Sequence, residues 1–194
     1  MRRLALLRHG HTGWNRAGRI QGRSDIPLDD AARHDLGALA LPAPWDRATL
    51  WSSPLSRAVE TAELVAGRTP RTAPALTEMN WGDWEGQRGQ DLLDTPGSGY
   101  RHIEDWGWDF RPPAGESPAE LWTRIEPWLA GLTGDSVAVC HIGIMRVILA
   151  RAHGWNFDGI PPFKVKRNRL FVVSLDPLAP LGEPVRLIPR EARP

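Results

Sequence analysis

The sequence predicts an α/β fold: a three-layer α/β/α arrangement around a mostly parallel central sheet. Three observations carry this reading. Short apolar runs alternate with segments of helical spacing, the pattern of βαβ units. Two of the runs are followed by a histidine and then, within two residues, a glycine: Leu4–Leu7 by Arg8-His9-Gly10, and Val137–Cys140 by His141-Ile142-Gly143. Serine–proline pairs mark where helices begin, because serine is a preferred N-cap and proline suits the first helical position.

Residues 3–8 read as a first strand buried on both faces. Residues 13–27 are rich in Gly, Arg and Asn without periodicity and read as a loop. Apolar residues at Leu28, Ala32, Leu36, Leu39 and Ala40 predict a helix over 28–41, closed by Pro42. A short strand follows over 48–51. Ser53-Pro54 then starts a helix with Ser53 as its cap, an apolar face of Leu55, Ala58, Val59, Ala62, Val65 and Ala66, and Gly67 as the stop. Residues 79–115 are an excursion from the main sheet, helical only near 90–93, and they hold Trp81, Trp84, Trp106 and Trp108 out of ten tryptophans in the chain. Ser117-Pro118-Ala119-Glu120 carries the capping-box pattern, and its helix runs to about Ala130 with Pro127 inside. A third strand over 136–140, a helix over 143–152, a strand over 170–175 and an edge strand over 185–188 complete the order. The tail from Pro189 is expected to fray.

The 194 residues suit one domain, 1–194, with a modest insertion at about 79–115. A hydrophobic share of 41%, a charged share of 24% and a net charge of +1 match an ordinary globular protein. They give no support for a broad nucleic-acid or membrane surface. A local basic pocket stays open, since residues 1–23 hold Arg2, Arg3, Arg8, Arg16, Arg19 and Arg23 and no acid. Cys140 is the only cysteine, so no intramolecular disulfide or cysteine-based zinc site can form, and a reducing, cytoplasmic setting is expected. Arg8 cuts the N-terminal apolar run below the length of a signal segment.

Ligands of such sheets bind beyond the C-terminal ends of the strands. Three predicted strand exits carry reactive groups: Arg8-His9, Ser52-Ser53 leading to Arg57, and His141. Arginine holds an anion through a planar fork, and histidine can act as base or nucleophile. Arg57 falls in the first turn of its helix, beside an end that favours anions. His141 also precedes a helix, whose free N–H groups add donors. Glu78, in a tryptophan-rich neighbourhood, could be desolvated and its pKa raised into the range of a general acid. Taken singly, each has a plainer reading: solvated arginines, a core histidine satisfied by hydrogen bonds, surface carboxylates at Glu78 and Glu85. The tryptophans fit either a stacking wall for an apolar part of a substrate or packing of the excursion on the sheet.

Together these segments resemble the histidine phosphatase superfamily, in the branch of the cofactor-dependent phosphoglycerate mutases and many small phosphatases. The resemblance rests on Leu7-Arg8-His9-Gly10-His11-Thr12 with Asn15, Gln21-Gly22-Arg23-Ser24-Asp25-Ile26-Pro27-Leu28, and Ser52-Ser53-Pro54-Leu55-Ser56-Arg57-Ala58. It continues through Glu78 with Gly82-Asp83-Trp84-Glu85-Gly86, Pro113-Ala114-Gly115-Glu116-Ser117, and Val139-Cys140-His141-Ile142-Gly143 with Arg146. It implies a phosphoglycerate mutase-like fold with a Trp-rich lid. It also implies a phosphoryl-accepting nucleophile at His9, a pocket of Arg8, Arg57 and His141 around the phosphoryl oxygens, and an acid at Glu78. Asn15, Gln21, Gly22 and the Ile142 backbone would line the phosphate and substrate pocket. Neither a metal nor a cofactor is implied, and the expected partner is a small phosphate ester.

Two departures stand out. Ala31-Ala32-Arg33 replaces a usual glycine, and Ile142 replaces the first of a common Gly-Gly pair. The resemblance leaves mutase and phosphatase to be separated. The acid is followed by Met79-Asn80-Trp81-Gly82 rather than the Arg-Xaa-Tyr-Gly run of mutases. Residues 79–110 hold only Arg88 and Arg101 as cations, against Asp83, Glu85, Asp91, Asp94, Glu104, Asp105 and Asp109. That field repels a second phosphate, so a metal-independent phosphomonoesterase is expected, with a mutase or a non-catalytic phospho-ligand sensor as the alternatives.

Overall fold

The computed structural model describes residues 2–190. Strand β1 (Arg3–Arg8) lies at the centre of a seven-stranded sheet. Its parallel neighbour is β5 (Ser136–Cys140), followed outward by β3 (Thr49–Ser52) and the short β4 (Arg71–Thr72), also parallel. On the other side β6 (Arg169–Leu175) runs antiparallel to β1, and β7 (Leu178–Pro180) and β8 (Val185–Arg186) pair with β6. The parallel half carries the three reactive strand exits, so their side chains emerge at one end of the sheet.

Both faces are covered because successive side chains of a strand point to opposite sides. Leu4 and Leu6 enter one core, with Leu121, Ile125 and Leu129 of α5 (Pro118–Ala130) and Ile144, Met145 and Ile148 of α6 (Ile142–His153). Ala5 and Leu7 enter the other, with Ala32 and Leu36 of α2 (Asp30–Gly37) and Ala58, Ala62 and Val65 of α3 (Ser56–Ala66). All four β1 side chains are fully buried, which accounts for the unbroken apolar run.

Several sequence-based boundaries shift. The expected loop at 13–27 contains a one-turn helix, α1 (Gly13–Arg16), nucleated by a capping box between Thr12 and Asn15. The helix expected over 28–41 is confined to Asp30–Gly37, with Asp29 as its cap. Leu28 bridges Thr12 instead, and Leu39–Ala40 forms β2. Strand β9 (Ile188–Pro189) pairs with β2, and Arg190 N–H donates to the Ala38 carbonyl at 2.8 Å, so the tail is tied down through residue 190. The remainder of the expected frayed tail, 191–194, lies outside the described residues.

The excursion at 79–115 contributes two turns of 3₁₀ or α character, over Gly82–Trp84 and α4 (Gly89–Asp94). Its aromatic rings pack among themselves. Trp84 and Trp106 are buried, Trp81 stands edge-on to Trp106 at 5.2 Å, and Trp84 meets Tyr100 at 5.0 Å. Trp108 lies under Arg151 of α6 and donates to Asn156. These contacts join the core on the α5–α6 face, so the rings anchor the excursion by packing. Among the described residues no helix is long and apolar enough to cross a membrane.

The arginine-rich N-terminal stretch does not form one basic pocket. Arg2 pairs with Asp176, Arg3 with Asp135, Arg16 with Asp29 and Arg23 with Glu116, while Arg19 donates to the Gly86 carbonyl. Only Arg8 is directed to the strand exits. A different arginine anchors the excursion. Arg124 of α5 donates to the carbonyls of Ala75, Thr77 and Glu78 and pairs with Glu116, whose carboxylate also accepts from Asn80 N–H. Replacing Arg124 with Met strands these acceptors and should lower unfolding stability by about 2–4 kcal/mol. Urea denaturation checks this; a loss below about 0.5 kcal/mol would show the network to be energetically idle.

Candidate active site

His9 follows the last residue of β1. Its N–H donates to the Cys140 carbonyl at 3.0 Å, continuing the parallel ladder by one rung. Its ring Nδ1 lies 2.6 Å from the Gly10 carbonyl. A carbonyl can only accept, so Nδ1 carries the proton and Nε2 presents its lone pair. Burial, then Arg57 and Arg8, hold the His9 pKa well below the usual imidazole value.

His141 follows β5 and occupies the N-cap position of α6, and its ring centre lies 5.1 Å from that of His9. Here the structure corrects the expected role of Ser53. Helix α3 begins at Ser56, with Leu55 at its cap position and no side-chain cap bond. Ser53 Oγ instead accepts from Leu55 N–H at 3.2 Å and meets His141 Nε2 at 2.7 Å. On the other side of the ring, His141 Nδ1 is buried without a partner. Burial and the charges of its neighbours keep this imidazole neutral as well.

Arg57, in the first turn of α3, is completely buried. Its terminal nitrogens donate to the carbonyls of Ser24 and Gly22, at 2.7 and 2.8 Å. Its Nε has no partner, and neither does the buried Nε of Arg8. Burial lowers the Arg8 pKa to about 9, with the charge of Arg167 adding to the effect.

Glu78 is 4% exposed. Its carboxylate accepts from the N–H of Met79 at 2.7 Å and of Gly143 at 3.1 Å, at the start of α6. Burial raises its pKa; those two hydrogen bonds and the charges of Arg57 and Arg8 oppose the rise without cancelling it. The desolvation expected from the sequence is therefore present. A Cβ at position 143 would collide with the carboxylate, so the retained glycine after Ile142 is a steric requirement.

The structure thus brings Arg8, His9, Arg57, Glu78 and His141 together. Asn15, Gln21 and Gly22 form the adjoining loop, largely as a frame. Asn15 Nδ2 donates to Gln21 Oε1 at 3.1 Å, and Gln21 Nε2 donates to Thr12 Oγ1. Gly22 has φ +49° and sits against Glu85, leaving no room for a side chain. Glu85, read from the sequence as a possible surface carboxylate, accepts from Arg23 N–H, Ser24 N–H, Ser24 Oγ–H and Trp81 N–H, and so fastens this loop to the excursion. Ile142 lines a cavity of about 570 Å³ with Arg146, Glu104, Ile160 and Val165. None of the tryptophans lines it.

Sequence reasoning missed Ser53 as a partner of His141, Arg124, and Arg167, which donates to the His9 carbonyl at 3.2 Å and to Asn15 Oδ1 at 3.0 Å. The basic run Lys164-Val165-Lys166-Arg167 was a visible signal, but which strand exit it reaches depends on the register of β6. Among the described residues, no group of three His, Cys, Asp or Glu side chains could hold a metal ion.

The opposite pKa shifts have a consequence for stability. His9 and His141 titrate lower when folded, so their contribution is lost as pH falls below about 6.5. Glu78 titrates higher when folded, so its contribution is lost as pH rises above about 4.5. The two trends oppose each other between these limits. Glu78→Gln removes one, and its unfolding free energy should fall more steeply on acidification from pH 7 to 5 than that of the wild type. Urea unfolding across this range decides the matter; equal slopes would contradict the assignment.

The sequence model of the histidine phosphatase superfamily (branch 1) matches residues 4–180. The glucosyl-3-phosphoglycerate phosphatase of Mycolicibacterium vanbaalenii is 31% identical over 178 residues, 83% of this chain and 78% of that protein. The adenosylcobalamin/alpha-ribazole phosphatase of Salmonella typhimurium is 34% identical over 161 residues, 77% of this chain and 78% of that protein. The crystal structure of phosphoglycerate mutase from Thermus thermophilus superposes with a TM-score of 0.74 at 35% identity, covering 96% of this chain and 98% of that one.

Proposed function

Because the chain belongs to the histidine phosphatase superfamily, we propose that it is a metal-independent phosphomonoesterase acting through phosphohistidine on His9. The observation that carries the reading is a set of buried nitrogens without partners, Arg8 Nε, Arg57 Nε and His141 Nδ1, the last a donor when the Ser53 hydroxyl gives its proton to His141 Nε2. An unsatisfied buried donor costs about 1–3 kcal/mol, more when charged. Three at one strand-end site form a receptor for the oxygens of a phosphoryl group.

In the first step His9 Nε2 attacks phosphorus as the bond to the ester oxygen breaks. The protonated Glu78 gives its proton to the departing oxygen. In the second step the Glu78 carboxylate takes a proton from water, whose oxygen attacks phosphorus as the P–N bond breaks. Inorganic phosphate leaves, and Glu78 and His9 return to their starting forms. The raised pKa of Glu78 and the lowered pKa of His9 suit these starting forms. Arginine and imidazole donors supply the charge stabilisation that phosphoryl transfer requires. The cavity beside Ile142 and Arg146 would receive the alcohol portion of a small ester, a volume suited to a sugar or nucleoside fragment. The acids of the excursion disfavour a bisphosphate, which places hydrolysis ahead of mutase chemistry.

Steady-state hydrolysis of a phosphate-ester panel in excess chelator tests the reading, the panel including α-ribazole phosphate, sugar phosphates, nucleotides and 3-phosphoglycerate. Turnover of at least one member is expected. His9→Ala should reduce it by on the order of 10⁴ or more while phosphate binding persists. Near-normal rates in that variant would refute the mechanism. Glu78→Gln should slow esters with poor leaving groups by about 10²–10⁴ and activated aryl esters far less. Equal slowing would remove Glu78 from the acid role.

A further inference from the structure

The antiparallel ladder between β1 and β6 ends at the pair Leu7–Leu170. Beyond it the His9 carbonyl has no main-chain donor from β6. The Arg167 side chain takes that place, with Nε at 3.2 Å from the carbonyl oxygen. The same guanidinium reaches Asn15 Oδ1 at 3.0 Å, and this oxygen also accepts from Thr12 N–H at 3.2 Å. One partly buried side chain therefore ties the main chain of the nucleophile to the loop that frames the pocket. The opposite side of His9 is held by Cys140, and the Gly10 N–H is held by Thr61 Oγ1 at 3.0 Å. Arg167 supplies the remaining restraint.

We propose that Arg167 is a positioning residue for the His9 nucleophile, acting by clamping the His9 carbonyl to the Asn15 loop. The inference rests on the assignment of His9 as the phosphoryl acceptor. A planar guanidinium can bridge the two acceptors with fixed geometry, which an ammonium or amide cannot reproduce. Nucleophilic attack is sensitive to misplacement on the scale of one ångström, so loss of the clamp affects the attack itself more than substrate capture. Arg167 also adds charge to the ring. The groups facing His9 are Arg57, Arg8 and Arg167, with the neutral His141 alongside, and each of the three cations disfavours the imidazolium. Lys at position 167 keeps that charge without the two-point bridge.

Two measurements test the proposal. Single-turnover formation of the phosphorylated enzyme should slow on the order of tenfold or more in Arg167→Met, with little change in KM. Arg167→Lys should leave the rate low. The second measurement needs no turnover: NMR titration of the His9 ring in ligand-free protein. Its pKa should rise in Arg167→Met and return toward the wild-type value in Arg167→Lys. Reduced thermal stability with unchanged phosphorylation rate and unchanged His9 titration would make Arg167 merely structural and overturn the proposal, as would an effect confined to KM. If the wild type forms no phosphohistidine on any ester, the phosphatase reading fails, and the clamp is then judged by the Gly10 backbone amide resonance, on the peptide whose carbonyl Arg167 holds: it should shift in both Arg167→Met and Arg167→Lys, and an unmoved resonance would overturn the proposal.

Discussion

Burial of cations without an anionic partner is the constraint on which this structure depends. Arg8, Arg57 and Arg167 converge near two imidazoles whose pKa values are lowered, and the buried carboxyl among them, Glu78, has a raised pKa. Removing guanidinium groups from water is expensive, and mutual repulsion adds to the cost. The fold offsets much of this with main-chain carbonyls. Gly22 and Ser24 accept from Arg57, and His9 accepts from Arg167. A carbonyl satisfies the donor without cancelling its charge, so the positive potential remains available to a ligand. The buried nitrogens left over, Arg8 Nε, Arg57 Nε and His141 Nδ1, carry unmet hydrogen-bonding capacity.

The surrounding loops follow from that need. For Arg57 to find carbonyls, residues 22–24 must turn back over it, and Gly22 adopts a positive φ to do so. The turn is held from outside by Glu85, whose carboxylate gathers four donors from the turn and from the excursion. The excursion is in turn held by its aromatic packing and by Arg124 and Glu116. Arg124 also holds the carbonyl of Glu78. Glu78 and Arg57 thus share supports, although they come from separate parts of the chain.

The same arrangement separates the proton affinities of the site. His9 and Glu78 are both desolvated, yet desolvation acts on them in opposite directions because the charged form is the protonated one for histidine and the deprotonated one for glutamate. One low-dielectric environment therefore favours the free base of the imidazole and the protonated form of the carboxyl. Two N–H groups on Glu78 oppose its shift.

The sequence by itself determined the layers, the order of the main elements and the four groups at or after the strand exits, Arg8, His9, Arg57 and His141. These features depend on local information: apolar periodicity, serine–proline starts, and histidines placed directly after buried strands. The sequence also showed where Glu78 would lie, but not what would bury it. Tertiary structure alone decided the use of Ser53, the pairing of the N-terminal arginines, the clamping role of Arg167, and the packing of the tryptophans. Each depends on contacts between distant segments. Ser53 resembles a helix cap in sequence because its neighbours suit one, but the proximity of His141 gives its hydroxyl another partner. Arg167 is one charge in a basic run until the register of β6 places it beside His9. Short strands such as β2 and β9 were equally illegible, since two residues have no periodicity and exist only through each other. Local patterns report the propensity of a segment, whereas partner choice depends on long-range register and on which donors burial has left unsatisfied.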